Sequence, residues 1–479
     1  ITVVAERDIV LPRSRSAVYY WNHHSDLATA GIECTRNTLI YRMDIGPDRA
    51  LPAGIKLFKC SMRMLARALR IKPLPLTPTG AHLDEEARQW YQENMPAKSK
   101  IRHDQHQRDF ANGLVLDTKS AMNAFVKTDE CIKTGQSGDI SIFREVKGSY
   151  KGRHIIPCTP TQMRRMQWWC KSIKEDLKEG RTSDVMWDVS YPRAIEIPLK
   201  RCKLFFTYAA DLDNQQKSAW YTDIRTGGQD GIHFMIGGDD NYTIVKVGGL
   251  LYDIESDVEK CDQSHDAHVR DAFCDILRAY GVPSCDILWF HNSYTDPLQV
   301  TYRKIPWFNI EFHRPKMKSG MPHTSLATTL CVAAVVIGSF VEIDRGGEMD
   351  LLEHPVKLAE AVMEISKTMG FSLKISTSDM LGTFHKGYWV SCKDKGCYLW
   401  CPLPGNTLTK MWKCKFQQPP TPAQFQRRMV DQHLTRKNSA NNPLVRKSIE
   451  TWTTGWELEG DQALEWASWI KNDAGWHAR

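Results

Sequence analysis

No long low-complexity linker interrupts the 479 residues, so the parts of this chain are expected to pack against one another rather than hang on tethers. An excess of charge of one sign is also lacking: 63 Lys and Arg against 56 Asp and Glu leave +7, with a pI near 8.6. That balance excludes an acidic solvating tail, and it favours a polyanionic partner only where the basic side chains gather. Cysteine is plentiful, at 14, but metal-knuckle spacing is missing. Cys392, Cys397, Cys401 and Cys414 form no C-x2-C pair, which sets structural zinc aside. No cleavable apolar leader stands at Ile1, and the dispersed cysteines read as free thiols of a reducing cytoplasm. An Ile rather than a Met at position 1 reads as a processed or trimmed end. One uncharged run, Thr324 to Val341, has the length of a membrane span. Its Ser, Thr and Gly content and its polar Lys318-Ser319-Gly320 entry favour a helix buried in the protein, so no stable membrane insertion is expected.

What is present suits a large core, with 42% hydrophobic residues and two or three subdomains expected. Residues 1–100 carry several breakers (LPRS, LPAG, KPLPLTPTG) and read as an irregular wrapping segment, with a charged helical pattern from Asp84 to Asn94. Between Ile142 and Arg165 the pattern predicts an extended basic ribbon followed by a turn, with Lys147, Lys151 and Arg153 along it. Short strands are expected at KLFFTY, HFMIGG and YTIVKVGG. A helix follows Asp262 and stops near Gly281; another spans about Thr324 to Val341. A third runs from Pro355 to Met369, ends at Gly370 and leads into strand-like FSLKIS. FHKGYWVSCKDKGCYLWCPLP reads as a hairpin with KDKG at its tip.

Three elements carry chemistry. Gly238-Asp239-Asp240 between two strands would project paired carboxylates from a hairpin turn, a mount for a divalent cation; a solvated loop is the plain alternative. Asp257 and Asp262 form a D-x4-D spacing between a strand and a helix. Asp257 could join the hairpin acids around two cations about 4 Å apart, whereas Asp262 serves equally well as the cap of the following helix. Ser319-Gly320 with Thr324 forms a pliable turn feeding a buried helix, where the hydroxyls could bond a ribose or an aspartate; a simple helix start is the alternative.

Together these elements resemble the palm of viral RNA-dependent RNA polymerases: the Gly-Asp-Asp hairpin of motif C, the D-x4-D of motif A and the SG-x3-T of motif B. Here the hairpin comes first. The order C, A, B is that of the permuted palm of permutotetraviruses and birnaviruses, and Gly-Asp-Asp followed by Asn241 is closer to the permutotetravirus-like enzymes. The basic ribbon with Lys147, Lys151 and Arg153 resembles motif F, GFSLK with Lys374 resembles motif D, and FHKGYW with His385 and Lys386 resembles motif E.

The resemblance implies an α+β right-hand polymerase fold with a circularly permuted palm, an antiparallel sheet backed by helices. It divides the chain into an N-terminal extension (1–100) wrapping fingers and thumb, fingers (101–203), palm with a fingers insertion (204–400) and thumb (401–479). It implies two Mg2+ or Mn2+ ions held by Asp239, Asp240 and Asp257, with Lys374 as proton donor to pyrophosphate. Asp262, Ser319, Thr324, Thr328, Lys147, Lys151 and Arg153 would meet the nucleoside triphosphate; Gly320, His385 and Lys386 would meet RNA. Thr328 stands where related families carry Asn, and its hydroxyl can still donate and accept toward a 2′-hydroxyl together with Asp262 and Ser319. Partners would be an RNA template, the nascent strand and NTPs, with viral capsid or replication proteins, in the host cytoplasm or packaged in the virion. A reverse transcriptase, a cyclic-dinucleotide synthase and a non-enzymatic RNA-binding viral protein are the rival readings.

Overall fold

The computed structural model describes residues 49–69, 91–112, 160–259, 261–295, 319–378, 383–392 and 396–402. It also describes segments at 2–3, 17–19, 121–123, 125–126, 154–156, 298–302, 305–312, 316–317 and 414–416, with isolated residues 71, 89, 421 and 424. Lys147, Lys151 and Arg153 lie outside the described residues, as does most of the segment 401–479 expected to form a thumb.

The fold is built on a six-stranded sheet flanked by helices. Helix α1 (Pro52–Ala68) precedes it, followed by α2 (Ala97–Ala111) and α3 (Pro160–Leu177). Strands β1 (Gly180–Thr182) and β2 (Ser190–Pro192) pair with each other, and β3 (Ile195–Pro198) and β4 (Lys203–Tyr208) enter the main sheet. Then come α4 (Asn214–Gly227), β5 (Gly231–Gly237), β6 (Asp240–Val247) and β7 (Leu250–Val258). Helices α5 (Ala267–Ala279), α6 (Ser284–Thr295), α7 (Thr324–Gly346) and α8 (Pro355–Thr368) lead to β8 (Leu373–Ser378). A final small sheet holds β9 (Thr383–Phe384), β10 (Gly387–Cys392) and β11 (Cys397–Pro402).

Across the main sheet the order is β8-β7-β6-β5-β4-β3. The expectation of an antiparallel sheet needs one correction: β4 and β5 run parallel, because α4 returns the chain between them. The sequence announces α4 through Asp213 and Gln216, which form a reciprocal capping box. A second correction concerns the first hundred residues. LPAG is no breaker but the start of α1, with Leu51 as N-cap and Pro52 in the first turn, where its missing N–H is not needed. Leu57, Phe58, Met62 and Leu65 then line one buried stripe of that helix. Of the expected basic ribbon, residues 142–153 lie outside the described residues; His154–Ile155, which follow them, are strand paired with Phe125–Val126, and α3 begins at Pro160.

Each face of the sheet has its own core. Alternate residues such as Phe206, Phe234 and Val245 join α1, α5, α7 and α8 in the larger one. Met235, Tyr242 and Ile244 point the other way, into a cluster with α4 and the β10–β11 hairpin that includes Trp220 and Trp389. Helix α7 is long and apolar enough to cross a membrane, yet 94% of its apolar window is buried inside the protein, as its polar entry suggested. The expected hairpin is present as strands β10 and β11, with Cys392 opposite Cys397 beside the turn, of which residues 393–395 lie outside the described residues. Cys401 lies in β11, and Cys414 belongs to a separate short strand paired with residues 17–19.

Beneath the second face lies a buried charge. Asp253 on β7 is fully buried and accepts hydrogen bonds from Tyr221 (2.8 Å) and Tyr242 (2.7 Å), and the Arg225 guanidinium on α4 lies 2.6 Å away. This contact ties α4 to the two strands that carry the acids described next. Asp253→Ala would leave Arg225 buried without its partner, and urea unfolding is expected to show a loss of about 3–5 kcal/mol.

Candidate active site

The β5–β6 hairpin closes through two residues, Gly238 and Asp239, with Gly237 opposite Asp240. Gly238 has φ +73°, the left-handed first position that such a tight turn asks of glycine. Asp240 then pairs with Asp257 across β6–β7, and Asp257 with Lys374 across β7–β8. Oxygens of Asp239, Asp240 and Asp257 lie within 4.8 Å of one another, and this is the one such group among the described residues. The D-x4-D and Gly-Asp-Asp elements therefore meet in space. Three hard oxygen donors at this separation fit Mg2+ or Mn2+, whose sites use carboxylates. Among the described residues the cysteines form no such group, and burial pushes the Cys401 thiol up to about 12.

Like charges so close repel. Burial first, then Asp239 and Asp257, push the Asp240 carboxyl up to about 7, with Lys386 working against the shift. The side chain is 39% exposed, so water softens the penalty.

The turn is gripped from both faces of the sheet. From the α7 side, the Thr329 hydroxyl accepts the Gly238 N–H at 2.9 Å and donates to the Ser325 carbonyl at 2.8 Å. From the other side, His385 Nε2 lies 3.0 Å from the Gly237 carbonyl and donates to it. A Cβ on residue 237 would fall 2.4 Å from the His385 ring, so glycine is needed there for close approach. Burial and nearby Lys217 push His385 down to about 4, so the imidazole is neutral and its 3.8 Å approach to Asp240 is no ion pair. His385 and Lys386 both hold left-handed backbone, φ 50° and 62°, which swings the imidazole onto the turn. Lys217, pushed down to about 8 by burial, lies over the Trp400 ring at 4.2 Å and contributes positive charge near Asp240.

The remaining sequence candidates fall around this centre. Lys374 is exposed, in register with Asp257, and 3.5 Å from Glu259. Asp262 does not cap α5; it sits in a separate turn of 3-10 helix (Cys261–Ser264), and Asp266 takes the N-cap position. Its carbonyl accepts the Met317 N–H at 3.2 Å. The Ser319–Gly320 turn is pinned rather than pliable: Ser319 O accepts the Ile156 N–H at 2.8 Å, and a Cβ on Gly320 would meet Ile155 at 2.7 Å. Thr324 opens α7 and Thr328 is buried one turn on, but the hydroxyl that reaches the acidic hairpin belongs to Thr329. Spacing alone could not separate these two threonines, because only the packing of α7 decides which one faces the turn. His323 is likewise structural, fully buried between Trp169 and Phe290 and bonded to Tyr294.

No protein-family model matches this chain, and a search of the curated proteins finds no match.

Two outcomes test this geometry. The folded protein retains the Asp240 proton between the ordinary carboxylate value of 3.8 and about 7, so stability from this group is greatest below that window and falls as pH rises through it. A divalent cation must displace that proton. The rise in Tm on adding Mg2+ or Mn2+ is therefore expected to be larger at pH 8 than at pH 6, and absent in Asp240→Asn. Thr329→Val leaves the Gly238 N–H without its acceptor and is expected to cost about 1–3 kcal/mol in denaturant unfolding, with Thr329→Ser close to the wild type.

Proposed function

We infer that the chain is an RNA-dependent RNA polymerase with a permuted palm, extending an RNA 3′ end with nucleoside triphosphates. The observation that carries this reading is the convergence of Asp239, Asp240 and Asp257, from elements in reversed chain order, at the closed end of one hairpin. A second support is the neighbourhood of the Ser-Gly turn: it touches Ile155 and Ile156, directly after the basic ribbon assigned to the triphosphate.

Divalent cations held by the three aspartates would lower the pKa of the primer 3′-hydroxyl and offset charge on the triphosphate. The chain's own residues do the rest. The hydroxyl gives up its proton to water as its oxygen forms a bond to the α-phosphorus, the bond from that phosphorus to the α,β-bridging oxygen breaks, and pyrophosphate leaves. Lys374, exposed on the strand next to Asp257, supplies a proton to the leaving group. Lys147, Lys151 and Arg153 hold the triphosphate, and Asp262, Ser319, Thr324 and Thr328 line the ribose side. Gly320 and Lys386 approach the RNA backbone, while His385 acts through the hairpin it grips. Template pairing selects the nucleotide, and phosphate contacts make binding salt-sensitive.

Incorporation of labelled GTP on poly(C), with Mg2+ or Mn2+, is the test. Wild-type protein is expected to incorporate, and Asp239→Ala and Asp257→Asn to lose at least about 100-fold while keeping the wild-type circular dichroism. Equal incorporation by wild type and Asp239→Ala would place the site elsewhere. A preference for a DNA template would favour a reverse transcriptase, a cyclic product from GTP alone a cyclic-dinucleotide synthase, and RNA binding without incorporation a non-enzymatic protein.

A further inference from the structure

Two surface features on opposite faces of the main sheet match in shape and charge. The first is the tip between β1 and β2. Asp223 on α4, 4% exposed, accepts from Ser183 Oγ (2.7 Å), the N–H groups of Asp184 (3.2 Å) and Val185 (3.3 Å), and the Tyr191 hydroxyl (3.0 Å). Ser183 Oγ accepts the Met186 N–H at 2.9 Å, and Met186 and Val189 are buried beneath the loop. On this ordered base Trp187 stands 80% exposed, beside Val185 at 38%. A loop held by buried hydrogen bonds that presents a bare indole to water has the form of a docking anchor. The indole is flanked by exposed Asp184 and Asp188; among the described residues Asp184 pairs only with Arg181 of the adjoining strand β1, and Asp188 has no ion pair.

The second feature is a groove of about 220 Å3 between α1 and α5, floored by Met62, Ala66 and Ile276. Lys59, Arg63 and Arg67 follow one another at helical spacing along one bank. Lys59 leans toward Asp271 at 4.0 Å, and Asp275 on the other bank is engaged by Arg278 at 2.5 Å. Arg63 and Arg67 are exposed and have no ion pair among the described residues. An apolar slot with surplus positive charge on its rim is the complement of an indole between carboxylates.

We propose that Trp187 of one copy of this chain docks in the α1–α5 groove of a second copy, with Asp184 and Asp188 against Arg63 and Arg67. The tip packs with α4 on one face of the sheet and the groove lies among the helices of the other, so a chain does not fill its own groove. The contact is head-to-tail, and each bound copy still offers a free tip or a free groove. A single aromatic anchor with a charged rim is a small interface, so the association is weak, concentration-dependent and weakened by salt.

Sedimentation velocity of the full chain, from about 1 to 100 µM at low salt, reads this directly, since small interfaces bind weakly. The wild-type sedimentation coefficient is expected to rise with concentration. Trp187→Ala, and Arg63→Glu with Arg67→Glu, are each expected to stay monomeric with unchanged circular dichroism. An equimolar mixture of those two variants is expected to form a dimer that grows no further, because one brings only a groove and the other only a tip. A wild type that is monomeric throughout, a Trp187→Ala protein that associates like the wild type, or a mixture that stays monomeric overturns the proposal.

Discussion

Everything at the centre of this molecule depends on a like-charge opposition set by strand register. Asp240 faces Asp257 directly across β6–β7, an arrangement that destabilises a sheet unless something compensates. Asp239 adds a third carboxylate from the adjoining turn. The register is not free to relax: a slip of one residue would move Tyr242 and Ile244 out of one core and Val245 out of the other. Hydrophobic alternation thus holds the acids together against their repulsion, and burial first, then that repulsion, raises the Asp240 carboxyl.

The compensation is local and comes from all sides. Asp239 O accepts the Val258 N–H at 3.3 Å, fastening the turn to the end of β7. Asn241 donates to Ser256 at 2.9 Å just inside the hairpin, so even the buried polar pair next to the acids is satisfied. Thr329 and His385 hold the two glycines from opposite faces, and the left-handed backbone at His385 and Lys386 is strain accepted so that the imidazole can reach. Glu255, two residues before Asp257, is occupied by Thr383, which anchors β9 beside the site. These contacts make the hairpin tip a rigid mount, the condition a catalytic constellation requires.

Much of this was legible in one dimension and some was not. The strands around the acidic turn, the buried Thr324 helix, the Gly281 and Gly370 stops and the KDKG hairpin follow from periodicity and turn chemistry, and the structure has each. Helix α1 was hidden because proline reads as a breaker until its place in the first turn is known. Helix α4 was hidden because its apolar residues, Trp220, Tyr221 and Ile224, bury against two different partners and give no clean stripe. Its capping residues were in plain sight. The gripping roles of Thr329 and His385 depend on contacts across 91 and 148 residues of sequence, which no local pattern encodes.

By itself the sequence determined which residue types could hold a cation, that two of them sit on a glycine turn, and that a third ends a strand close by in the chain. Those are matters of composition and short-range backbone preference, and they survive any rearrangement of the rest. Only the tertiary structure decided that Asp257 lies opposite Asp240 rather than on a neighbouring loop, that Thr329 rather than Thr328 meets the turn, and that β4 and β5 run parallel. The reason is that register and helix rotation are chosen by two cores packing on one sheet at once, a condition that involves residues far apart along the chain.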